Sequence, residues 1–214
     1  MPEVFDSMGK AGGVMVAPVV PSRFILPAMT MPGDLDLLVI PYEESTLLVS
    51  QSLVIEVKIV RASYQKQGKA PNDFGFSQAY GALTHGFPYA AVAHLIVSDT
   101  SPTDQWSEVF EATIVNAETG QISELRPVKA DMMPADLVAR TVGRLTANRP
   151  VASIGLLSAY ISTSPRGGMW MPSGAAATES TMTSDPTLQA IGNFFDKYYR
   201  KFMDIPKFSA GDFI

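Results

Sequence analysis

The chain has no cysteine. Disulfide frameworks, thiolate zinc sites, iron–sulfur clusters and cysteine nucleophiles are therefore excluded. This fits a reducing compartment, and a cytoplasmic protein is expected. Histidine is nearly as scarce: His85 and His94 are the only two. They lie nine residues apart on different expected elements, so no histidine metal site or Ser-His-Asp triad is read from them. His85 is expected at a helix C-terminus and His94 in the core of a strand. No run of about 18 apolar residues occurs, so no membrane span is expected. The N-terminus MPEVFDSMGK lacks the basic start and apolar stretch of a secretory signal. No glycine-rich nucleotide loop is present either; Arg166-Gly167-Gly168 lacks the Lys-Ser/Thr that would complete one.

What remains is an ordinary globular composition. Of 214 residues, 46% are hydrophobic and 17% charged. That is enough for one α/β domain with an appendage. The net charge of −5 argues against non-specific coating of nucleic acid. It leaves room for a local basic patch. Lys58, Arg61, Lys66 and Lys69 fall within twelve residues, with no acid between residues 57 and 70. A solvated loop is the plainer reading of such a run.

Along the chain, residues 1–12 are expected to form a short helix and Val14–Val20 a β-like run. The clearest pair follows. Asp34–Pro41 and Leu53–Arg61 are both rich in aliphatic and β-branched residues and read as strands. The polar stretch Glu43-Glu44-Ser45-Thr46 lies where an antiparallel register with residue 36 opposite residue 56 needs its turn. Asp73 is expected to cap a helix running through about His85. Tyr89–Ser98 reads as a buried strand, Trp106–Asn116 as another, and Ala117–Gln121 as a hairpin turn. Pro134–Asn148 and Pro186–Met203 carry helical periodicity. The Ser/Thr/Gly/Pro/Ala-rich segment 162–186 reads as a mobile loop or linker. The aromatics of the last helix, Phe194, Phe195, Tyr198, Tyr199 and Phe202, exceed what one buried face needs. A core or a dimer contact would use them.

The chemistry sits on the paired strands. Residues two apart on a strand share a face. Asp34 and Asp36 therefore point one way, and Glu56 and Lys58 share a face of their own strand. The opposite face, Leu53, Ile55, Val57 and Ile59, is expected to be core. In the 36/56 register Asp36 and Glu56 converge. Carboxylates among apolar strand residues are costly unless they pair or bind a cation. Oxygen ligands suit Mg²⁺ or Mn²⁺. A neighbouring lysine can orient a water or offset developing negative charge. A structural salt bridge is the competing explanation. Glu-x-Lys arises about once by chance in a chain of this length, and Glu124-Leu125-Arg126 is a near match without a role.

The string Gly33-Asp34-Leu35-Asp36-Leu37-Leu38, followed by Leu53-Val54-Ile55-Glu56-Val57-Lys58, resembles the PD-(D/E)XK nuclease superfamily, over roughly residues 30–98. The literal Pro-Asp is absent, Gly33 standing before Asp34. The resemblance implies an α/β, restriction-endonuclease-like core: a central mixed sheet of four to five strands flanked by helices. It implies Asp36 and Glu56 as metal ligands, Lys58 as the catalytic lysine, and Gln78 as a further catalytic residue that steadies water or substrate. Glu3 is a loose candidate for a first-helix acid. The implied activity is Mg²⁺- or Mn²⁺-dependent hydrolysis of phosphodiesters, in DNA. Arg61, Lys66 and Lys69 would touch nucleic acid. Trp170, beside Arg166-Gly167-Gly168, could stack on a base. The alternative is a catalytically inactive module of the same fold, binding nucleic acid or assembling a homodimer or larger complex. The nuclease-like domain is expected over residues 1–160, a linker over 161–186, and a C-terminal helix and tail over 187–214.

Overall fold

The computed structural model describes residues 12–26, 33–68, 70–71, 73–161 and 171–207. The expected helix at 1–12, Glu3, Lys69 and the Arg166–Trp170 segment lie outside the described residues.

The chain opens with β1 (Gly13–Pro21), a 3₁₀ turn at Ser22–Phe24, and β2 (Asp34–Glu43). Glu44, at φ 51°, begins a tight turn into β3 (Thr46–Leu47), which folds back on β2. A second 3₁₀ turn, Val49–Gln51, leads to β4 (Leu53–Arg61). Then come α1 (Phe76–Thr84) and β5 (Tyr89–Val97). Two small hairpin-like sheets follow. One pairs β6 (Ser107–Glu111) with β9 (Arg126–Ala130), and the other pairs β7 (Ile114–Asn116) with β8 (Gln121–Ile122). The run expected as one strand over Trp106–Asn116 is thus broken in two. After them lie α2 (Met133–Asn148), β10 (Gly155–Tyr160), β11 (Ser173–Ala175), α3 (Asp185–Tyr198) and β12 (Met203–Pro206).

The main sheet has eight strands, in the order β11-β10-β5-β4-β2-β1-β12, with β3 added to β2. It is mixed: β4, β5 and β10 run parallel, and the other pairings are antiparallel. The protein is therefore α/β, with a larger sheet than the four to five strands expected. β11 lies inside the segment expected as loop or linker. The C-terminal helix expected to run to Met203 ends at Tyr198, and a 3₁₀ turn at Tyr199–Lys201 leads into β12.

All three helices cover one face of the sheet. Their buried side chains cluster with the even-numbered residues Val54, Val60, Ala90, Val92, Ile96, Leu156 and Tyr160. That is the face of Glu56 and Lys58. The expectation that Leu53, Ile55, Val57 and Ile59 form the core is corrected. The first three are half-buried and Ile59 is 47% exposed. Both faces of β4 carry aliphatic residues, so alternation separates the faces without telling which one the helices choose.

Candidate active site

The two strands that carry the acidic motif pair in the expected register. Leu37 faces Ile55, Leu38 faces Val54 and Val39 faces Leu53. One step further places Asp36 opposite Glu56. The backbone ladder stops there, and the Asp36 side chain takes over. Val57 N–H donates to Asp36 Oδ2 at 2.7 Å. One carboxylate oxygen thus splices the end of β2 to β4, and among the described residues the other has no hydrogen-bond partner.

Glu56 is 5% exposed. Its Oε1 accepts from Lys58 Nζ at 2.8 Å, as i,i+2 neighbours on one strand face can. Burial raises the Glu56 carboxyl above the usual carboxylate range; the Lys58 hydrogen bond opposes this, and the charge of Asp36 adds to it. For Lys58, burial works against the ammonium. The hydrogen bond and charge of Glu56 outweigh it, so its pKa is raised.

Above this pair lies the start of α1. Gly75 stands at its N-cap with φ 84°, in the left-handed region. A Cβ there would come within 2.7 Å of Glu56 Cγ and 3.4 Å of Lys58 Cε. Only glycine permits both the backbone angle and this approach. Asp73 does not cap α1 directly, as expected; its Oδ1 accepts from Gly75 N–H at 2.9 Å. Its charge acts on Glu56, Lys58 and His94. Gln78 is three residues beyond Gly75, so it shares the helix stripe that faces β4. Its Oε1 is buried with no hydrogen-bond partner. An orphaned buried carbonyl is uncommon and asks for a donor or a cation.

The neighbouring strand adds His94, in register with Lys58 and 1% exposed. Its Nε2 donates to Phe74 O at 3.1 Å, and its ring stacks on Phe74 at 5.9 Å. That bond leaves Nδ1 as a bare acceptor, and it has no partner. Burial lowers its pKa, which favours the neutral ring. Ser158, in register with His94 on β10, also has a buried hydroxyl without a partner.

The structure therefore brings Asp36, Glu56 and Lys58 to one face of the sheet, with α1, the helix that carries Gln78, packed over them. Asp34 is exposed at the start of β2. Arg61 leaves β4 on the opposite face from Glu56, by strand alternation. Lys66 is exposed in a tight turn closed on Ser63. Two cations missed from the sequence approach that loop from α2. Arg140 donates to Gln67 Oε1 at 2.7 Å, and Arg144 lies along the loop, with its Nη1 3.5 Å from Gly68 O. The charge of Arg144 also reaches His94. Their i,i+4 spacing is the signal that could have found them. Asp73 and Gly75 were missed as site residues because a Gly before a helix usually marks only a turn.

The donor set is oxygen-rich: the second Asp36 oxygen, Glu56 and the Gln78 carbonyl. Such donors fit a hard divalent cation better than a soft one. Among the described residues, no three His, Cys, Asp or Glu side chains form a ready metal cluster. A fit would therefore rest on two carboxylates, an amide and water. No protein-family model matches the chain, and searches of curated proteins and of solved structures found no match either.

Proposed function

We propose that the chain is a Mg²⁺- or Mn²⁺-dependent nuclease of the PD-(D/E)XK type, hydrolysing phosphodiester bonds in DNA. The observation that carries this reading is a charge imbalance at a buried site. The charges of Asp36 and Asp73 both act on the buried Glu56, and among the described residues Lys58 is the cation hydrogen-bonded to it. Holding Glu56 ionised at 5% exposure is costly without a further cation. A divalent ion would relieve that cost, and the Gln78 carbonyl would gain a partner.

In this reading Asp36 and Glu56 hold the ion and Gln78 supplies a neutral oxygen or steadies a water. When bound, such an ion lowers the pKa of its water and offsets charge on the scissile phosphate. Lys58 is held by Glu56 in a fixed pose. It orients the attacking water or balances negative charge as it develops. The restriction-endonuclease-like core belongs to this proposal, with β2, β4 and β5 as its inner strands and α1 as the helix that carries Gln78.

A second reading draws on the 2.8 Å Lys58–Glu56 pair. There Lys58 already neutralises Glu56, and the chain is an inactive module that binds nucleic acid or assembles with other chains.

Calorimetry with Mn²⁺ separates the two, run on the wild type, Asp36→Ala and Glu56→Ala with plasmid cleavage scored in parallel. The expected outcome is binding and cleavage in the wild type and loss of both in each variant. A wild type that takes up no Mn²⁺ leaves the catalytic reading without support and favours the module.

A further inference from the structure

We infer that the C-terminal end of α3 and the Ser22–Phe24 turn form a binding surface for single-stranded nucleic acid. The inference extends the proposed nuclease site by naming the form of its substrate, and it rests on that reading for its biological sense. The surface itself stands on separate residues.

Four cations gather on three aromatic rings. Phe24 and Tyr198 stack with centroids 5.6 Å apart and planes 14° from parallel. The Arg23 guanidinium lies 5.4 Å from the Phe24 centroid. Lys197 lies 5.2 Å from the Tyr198 ring, and Lys201 lies 5.5 Å from Tyr198 and 6.0 Å from Phe24. Arg200 sits 5.7 Å from Tyr199. All four cations are exposed. Among the described residues none is within salt-bridge reach of a carboxylate, since the two ion pairs present are Lys58–Glu56 and Arg126–Glu111. A hollow of about 440 Å³ opens there, lined by Arg23, Phe24, Ile25, Asn193, Lys197 and Tyr198.

The chain as a whole carries a net charge of −5, so three cations on the Phe24–Tyr198 stack and Arg200 on the adjoining Tyr199, against the single exposed Asp196 beside them, are a local reversal of sign. A polyanion matches that reversal. The aromatics specify the polyanion further. Phe24 is 41% exposed, and its stacking partner Tyr198 rests on the buried Phe194 at 5.1 Å, so the pair sits at the edge of the core with one ring open to solvent. Aromatic and guanidinium planes accept any base whose face is free, whereas a duplex keeps its base faces buried in its own stack. Interleaved rings and cations therefore favour a single strand over a duplex.

Position links the surface to the acidic site. Pro21 pairs with Asp34, and the Ser22 hydroxyl donates to Gly33 O at 2.9 Å. The Ser22–Phe24 turn thus leaves the sheet at the end where Asp34 and Asp36 begin β2. At about 3.3 Å per strand residue, Phe24 is on the order of 10–15 Å from Asp36. The buried side chains of α3, Ile191, Phe194 and Phe195, join the core on the face that carries Glu56. A strand lying across the rings can therefore run on toward the carboxylates.

The test uses fluorescence anisotropy on the full chain in EDTA, so that no cleavage intervenes. The probes are a labelled oligothymidine of about twenty nucleotides and a duplex of the same length, titrated across salt. The wild type is expected to bind the single strand at least tenfold more tightly. Lys197→Gln/Lys201→Gln should weaken it tenfold or more and lower the log–log salt slope by roughly 1.4, about 0.7 for each phosphate no longer neutralised. Phe24→Ala should weaken it on the order of tenfold while leaving the slope unchanged, the mark of a missing stack. The inference is overturned if the wild type does not bind the single strand, if it prefers the duplex, or if neither patch variant changes binding. It is also overturned if sedimentation shows a dimer that the patch variants dissociate while strand binding persists; the surface then belongs to a second copy. Metal-dependent cleavage without a strand preference would sink this inference and spare the nuclease reading. Strand binding by a chain that takes up no Mn²⁺ would do the reverse.

Discussion

At the scale of single residues, Gly75 and His94 say most about how the candidate site is built. Gly75 lets α1 descend onto Glu56 and Lys58, and its positive φ keeps any other residue out. Gly75→Ala should cost about 1–2 kcal/mol for the left-handed backbone alone. The clash with Glu56 Cγ should add to that and shift the carboxylate. Urea unfolding checks the first part. A weaker Mn²⁺ isotherm than stability alone predicts checks the second. His94 offers a pH signature. Burial favours its neutral form in the fold, and Arg144 and Lys58 work in the same direction, while the Phe74 carbonyl and Asp73 oppose them. The unfolded chain takes up a proton below about pH 6.5, and the folded one does so only at lower pH. Stability from this group is therefore full above pH 6.5 and lost as pH falls below it, by up to about tenfold in the folding equilibrium per pH unit. Glu56 has the opposite sign, because its folded carboxyl keeps its proton to higher pH than the unfolded one. The contrast is read from slopes. Chemical denaturation of wild type and His94→Gln between pH 5 and about 7.5 should show the variant losing less stability on acidification. Parallel curves would refute the assignment.

At the scale of elements, the sequence was legible where one segment carries its own signal. β4 spans Leu53–Arg61 as expected, β5 spans Tyr89–Val97, and the 36/56 register holds. Long aliphatic and β-branched runs bounded by turn residues leave little choice. Of the strands that were missed, three have clear physical reasons. β11, Ser173–Ala175, contains no strand former, and its conformation comes from pairing with β10. β12, Met203–Pro206, follows an aromatic 3.6-residue pattern that carries the eye past the helix end at Tyr198. β10, GLLSAY, is a short strand whose parallel neighbour β5 lies some sixty residues away. The site was half legible. Asp36, Glu56, Lys58 and Gln78 stand on adjoining elements as the motif spacing implies. Arg61 shows the limit, because an odd residue on β4 must face away from Glu56. Asp73, Arg140 and Arg144 reach their places through loop and helix packing, which spacing along the chain does not encode.

At the scale of the whole molecule, the one-sided arrangement of helices makes the C-terminal helix part of the core. The domain division read from sequence set residues 187–214 apart as a helix and tail packing on the domain or on a partner. Ile191 and Phe195 of α3 are fully buried in the same cluster as Leu38, Ile40 and Val92, and Phe195 packs edge-on against Phe202 at 4.9 Å. Thr187 ties the start of α3 to the end of α1, donating its hydroxyl to His85 O at 2.7 Å. β12 then pairs with β1 and closes the far edge of the sheet. A helix so placed cannot detach without opening the core that positions β2 and β4. Phe195→Ala should cost about 3–5 kcal/mol, the range for emptying a buried aromatic site. The loss should appear as one cooperative transition. Near-ultraviolet circular dichroism and far-ultraviolet circular dichroism of the variant should melt together, at a lowered midpoint. Two separated transitions would mean that α3 folds as an appendage, and the cation–aromatic surface at its end would then move independently of Asp36 and Glu56. A single transition ties that surface and the acidic pair to one rigid frame, as a strand running from one to the other requires.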